Sequence, residues 1–158
     1  MNLLTYNTVI LDLDFTIWDG CEPKFWAKLL IPPLTLKGMS IYDSFQKYIT
    51  LQNNVELVLK ELRSNNINVG FLSVGGVLDV PYESQTSVIC LKMFNLLDHF
   101  NYKNFIVYKD VKKSTCFTSI GKSIFIDDND DNLKDIKLHF PHVDVLSRFS
   151  FKNWIDLV

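Results

Sequence analysis

The sequence predicts an α/β fold, a Rossmann-like three-layer sandwich built on a mainly parallel five-stranded sheet. Three observations predict it. Five short apolar runs, at 9–11, 67–72, 105–108, 123–126 and 143–146, each have the length of one buried strand. The segments between them repeat apolar residues at helical spacing, and such alternation implies right-handed crossovers and a sheet covered on both faces. Residues able to do chemistry follow the strands: Asp12 and Asp14, then Ser73, then a lysine, then Asp127 and Asp128. In parallel sheets of this kind ligands bind outside the carboxyl ends of the strands.

The elements follow in order. After the first strand, residues 19–52 form an insertion large enough to overhang the strand end, suited to a small lid or flap. Within it Phe25–Leu30 reads as a short helix stopped by Pro32-Pro33, and Tyr42–Leu51 as a hairpin arm. A helix is expected from Asn54 to Ser64, with Val55, Val58, Leu59 and Leu62 on one face. Asn53 and Glu56 resemble a capping box, and Asn65-Asn66 suits a stop. A second helix is expected over Tyr82–Leu97 and a two-turn helix over Lys112–Ile120. A helix carrying Leu133, Ile136 and Phe140 should stop at Pro141, and a terminal helix should span Phe151–Val158.

Bulk properties narrow the function. With 158 residues, the chain is expected to be one domain, 1–158, and its twelve Phe favour a well-filled core. The net charge of −2 gives no overall field to recruit nucleic acid or an anionic membrane. No apolar run approaches a membrane span. Cys21, Cys90 and Cys116 form neither a CxxC pair nor a zinc pattern, so reduced thiols in a cytoplasmic protein are expected. His99, His139 and His142 have no metal-ligand spacing.

The chemistry starts at Asp12-Leu13-Asp14. Two carboxylates brought together at a strand end need a cation or a proton to compensate them. A phosphoryl-transfer site needs a nucleophile, a proton donor, a divalent cation and donors for the phosphoryl oxygens. Asp12 can be the nucleophile and Asp14 the acid and base. Asp128 can complete a magnesium site with Asp12 and a backbone carbonyl near Asp14, since hard oxygen ligands suit that ion. Ser73 and a lysine can hold phosphoryl oxygens. Taken singly, the carboxylates from Asp127 to Asp131 also read as a solvated loop or an acidic helix start, and Gly75-Gly76 as a turn.

Together these residues resemble the haloacid dehalogenase superfamily, whose four motifs appear in order along nearly the whole chain. They are Asp12-Leu13-Asp14-Phe15-Thr16, Ser73, a lysine, and Asp127-Asp128. Asp12 to Trp18 is similar to the branch with little or no cap domain, which holds magnesium-dependent phosphatases and the FkbH-like proteins. The resemblance implies a phosphohydrolase acting through an aspartyl-phosphate, with Mg2+ held by Asp12, Asp14 and Asp128 and supported by Asp127. Its substrate would be a phosphorylated small molecule or a phosphoprotein. Lys113 best fits the third motif, with Lys112 and Lys109 as alternatives. Where the phosphatases carry Arg and the FkbH-like proteins Lys after the serine, this chain has Val74. One cationic contact is therefore missing, and phosphate donors are expected instead from the amides around Gly75-Gly76. Three other readings compete: an FkbH-like transferase, a non-catalytic binding module, and a nucleic-acid end phosphatase, the last disfavoured by the acidic balance.

Overall fold

The computed structural model describes residues 1–158. Its main sheet comprises β1 (Thr8–Leu11), β6 (Asn68–Val74), β7 (Phe105–Val107), β8 (Ser123–Asp127) and β9 (Asp144–Ser147). The order is β7-β6-β1-β8-β9, and every pairing is parallel. The chain steps outward from β1 on one side, then returns across it to build the other. That places the strand-order reversal beside β1, whose next residue is Asp12. The expected five-stranded α/β sandwich is the observed one, and no large cap is present.

Side-chain alternation along the strands divides the core. Val9 and Leu11 of β1, Val69 and Phe71 of β6, and Ile124 and Ile126 of β8 face α1 (Val55–Ser64) and α2 (Thr86–Met93) in one large cluster. Ile10, Leu72 and Phe125 point the other way, into a smaller cluster with Leu133 and Ile136 of α3 (Asp130–His139). No helix is long and apolar enough to cross a membrane.

The insertion is a four-stranded antiparallel sheet, β2-β5-β4-β3, comprising β2 (Trp18–Gly20), β3 (Thr35–Lys37), β4 (Ser40–Tyr42) and β5 (Tyr48–Leu51). The expected hairpin arm is β4–β5. Asp43 organises its turn, accepting from the amides of Ile31, Phe45 and Lys47 at 2.8–3.1 Å. Trp18, Ile41 and Ile49 are buried in the large core cluster, so this sheet is packed into the main body of the protein.

Several expected helices are shorter. Phe25–Leu30 contains only a 3-10 turn, Ala27–Leu29, because the Ala27 amide is taken by the Asp14 carboxylate. Tyr82–Leu97 divides into a 3-10 turn (Tyr82–Ser84), α2 and another turn (Leu97–His99). The Gln85 side chain bonds the backbone of Val77 and Val80 ahead of α2, and left-handed Asn95 follows it. Lys112–Ile120 keeps only the turn Lys113–Thr115, where the Ser114 amide donates to Asp135. The terminal segment is a turn, Trp154–Leu157. α1 forms as expected, but its cap is left-handed Asn54, whose side chain makes no capping bond to the helix, so the Asn53–Glu56 capping box does not form.

Gly20 fixes the path from β2 into the insertion. A Cβ there would lie 2.1 Å from the Phe25 carbonyl oxygen, a backbone atom. Gly20→Ala is expected to cost about 1–3 kcal/mol in denaturant melts, as overpacked sites do.

Candidate active site

β1 ends at Leu11, and the chain then turns sharply. The amides of Thr16, Ile17 and Trp18 all reach back to the Leu13 carbonyl, with Phe15 at φ 59°. This turn points Asp12 and Asp14 into a cleft of about 250 Å³ at the carboxyl end of the sheet. The cleft is also lined by Ser73, Val74, Lys109, Lys113, Asp128, Asn129 and Asn132, together with Trp26 and Lys28 of the insertion.

Lys113 occupies the centre. Its ammonium is buried, 2.5 Å from Asp12 Oδ1 and 2.6 Å from Asp127 Oδ2. Burial alone would depress its pKa, but the two carboxylates hold it above the ordinary lysine value. Of the three candidate lysines, Lys113 alone is inserted among the acids. Lys112 is exposed beside Asp135, and Lys109 is exposed at the cleft wall.

Asp127 is fully buried and saturated, accepting from Lys113, the Asn129 amide and the Asn132 side chain. Asp12 Oδ2 accepts from the Thr16 hydroxyl at 3.2 Å. Asp14 Oδ1 accepts from the Trp18 indole at 2.8 Å and the Ala27 amide at 2.7 Å, while its Oδ2 has no hydrogen-bond partner in the protein. Burial raises the pKa of Asp12, against the pull of Lys113, and burial likewise raises that of Asp14. Asp128 is pushed up to about 6, first by burial and then by the neighbouring Asp127 charge.

Carboxylate oxygens of Asp12, Asp127 and Asp128 all lie within 4.8 Å of one another, and these three residues could hold a metal ion. The Asp14 carboxylate is not one of this group. With four carboxylates set against one buried ammonium, the donor set is all oxygen and short of positive charge, which fits a hard divalent cation.

Ser73, the penultimate residue of β6, is 1% exposed, and its Oγ lacks any hydrogen-bond partner. A buried hydroxyl left unpaired is costly unless something outside the protein completes it. The Gly75-Gly76 amides do not serve as expected, since both donate to the Val107 carbonyl at 2.9 and 3.0 Å. Sequence reasoning missed Trp26, Lys28, Asn129 and Asn132. Asn129 caps α3 and carried a local signal, as it directly follows the acidic pair. Beyond Trp26 and Asp128 lies a wider hollow of about 500 Å³, edged by Phe15, Phe149 and Lys24.

No family model matches the chain, and no curated protein matches it. Among solved structures, the fold is similar to that of the N-terminal part of the protein BF1531 from Bacteroides fragilis. The TM-score is 0.57 at 17% identity, over 96% of this chain and 39% of that one. That structure contains a phosphatase domain and is complexed with Mg. This chain therefore spans about two fifths of the chain it resembles.

Two outcomes are expected. Lys113→Met leaves buried carboxylates without their counter-charge and should destabilise the protein by about 3–5 kcal/mol in chelator, read by denaturant unfolding. For Asp128 the folded pKa lies above the ordinary 3.8, so its burial penalty is absent below 3.8 and complete above about 6. In chelator the melting temperature should therefore fall as pH rises from about 4 to about 6 and level off above that, and a bound divalent cation should remove that slope.

Proposed function

We propose that the chain is a magnesium-dependent phosphohydrolase acting through an aspartyl-phosphate. The observation carrying this reading is the unpaired Ser73 hydroxyl, buried in the cleft beside an acidic cluster short of positive charge. A phosphoryl oxygen would complete the hydroxyl, and a cation would balance the cluster.

In this reading an Asp12 carboxylate oxygen attacks phosphorus while the bond to the leaving oxygen breaks. Asp14 gives that oxygen a proton, so the alcohol departs neutral. The two N–H donors on Asp14 Oδ1 favour its negative lone pairs, so the proton sits on the unpartnered Oδ2. Burial holds that proton more firmly than an ordinary carboxyl would. In the second half, water attacks phosphorus, Asp14 takes the water's proton, and phosphate leaves with Asp12 restored. Ser73 and Lys113 position the phosphoryl group, and Lys113 also keeps Asp12 ionised through the ion pair. Mg2+ would be held by Asp12, Asp128 and the backbone carbonyl of Asp14, and would neutralise charge on the phosphoryl oxygens. Asp127 orients Lys113 and Asn132 and adds its charge to the metal site.

The substrate is a phosphorylated small molecule or a phosphorylated protein side chain. The cleft takes the phosphoryl group, and the neighbouring hollow leaves room for what it is attached to. The test is hydrolysis of aryl phosphate, sugar phosphates, a phosphotyrosine peptide and a 3′-phosphorylated oligonucleotide, with magnesium and with chelator. Turnover should require magnesium, and Asp12→Asn should abolish it while the protein stays folded. An active Asp12→Asn variant would overturn the mechanism.

A further inference from the structure

We propose that Lys28 supplies the cationic contact to the substrate's phosphoryl group that Val74 cannot supply, an assignment that rests on the phosphatase reading above. Other donors near position 74 are already committed. The Gly75 and Gly76 amides bond Val107, and the Lys113 ammonium gives two of its three N–H donors to Asp12 and Asp127, which offset its charge. Two lysines line the cleft without an ion-pair partner, Lys28 and Lys109.

Lys28 is the one built into the wall. Its stem lies across Gly75, the residue after Val74: Lys28 Cδ, Cγ and Cβ come within 3.2, 3.8 and 3.9 Å of where a Gly75 Cβ would stand. Gly75 has φ +131° and no side chain, which leaves that space to the lysine. The backbone beneath Lys28 is tethered, because the preceding amide, Ala27, donates to Asp14 at 2.7 Å. The ammonium lies 4.9 Å from the centroid of the Trp26 ring, a cation–π contact that limits its wandering. A cation reaching across the loop after β6 from the insertion thus lines the same cleft as Val74. Lys109, on an exposed loop after β7, has no such support and would lose more rotamer freedom on binding an anion.

Binding of inorganic phosphate to the magnesium-loaded protein, measured by calorimetry, tests this without requiring turnover. Lys28→Met keeps the stem packing and removes the charge. Its phosphate dissociation constant should rise about tenfold or more, as loss of a charged hydrogen bond predicts. Its magnesium affinity should be no weaker, and any phosphatase activity should show a raised KM. Lys109→Met should stay within about twofold of wild type, as an unsupported surface residue does. Wild-type phosphate affinity in Lys28→Met overturns the proposal, as does the larger loss falling on Lys109→Met or an absence of phosphate binding by the wild type. Magnesium- and Asp12-dependent hydrolysis by a Lys28→Met protein of unchanged phosphate affinity would overturn the Lys28 assignment alone and leave the phosphatase reading standing.

Discussion

The buried ammonium of Lys113 is the constraint on which the carboxyl end of the sheet depends. β1 and β8 are neighbours, Asp12 follows β1 and Asp127 closes β8, so their pairing forces the two acids together out of water. Such crowding is tolerable only with a counter-charge at hydrogen-bond distance. Lys113 supplies it from a third direction, the connection after β7. The same demand shapes the local backbone. Lys113 sits in a single 3-10 turn, and the amide of the next residue is held by Asp135 of α3.

Much of this was legible in the chain. The apolar run at 9–11 followed by Asp-x-Asp located the central strand and its acids. The face of α1 was written in Val55, Val58, Leu59 and Leu62, all of which are buried. These signals are local: a strand or a helix face needs only its own residues to declare itself. The choice among Lys109, Lys112 and Lys113 was not local. Sequence could rank them, but only the long-range fold shows which ammonium lies among the carboxylates.

The insertion was the least legible part, for the same physical reason. Its strands are three or four residues long, too short for a period to show. Its turn is held by Asp43, a lone acid in sequence that collects three backbone amides in space. The 3-10 turn at Ala27 forms around a hydrogen bond from thirteen residues upstream, so no pattern within 25–30 could reveal it. Lys28 was hidden along with that turn.

The division of the core has a kinetic meaning. Trp18, Ile41 and Ile49 belong to the same buried cluster as the central strands, and Ala27 is bonded to Asp14. The inserted sheet therefore cannot swing away without breaking the main hydrophobic cluster and stripping a partner from Asp14. It is a fixed wall. Movement around the cleft then falls to exposed side chains at the rim of the neighbouring hollow, Lys24 and Phe149, which relax in nanoseconds rather than on the slower scale of domain closure.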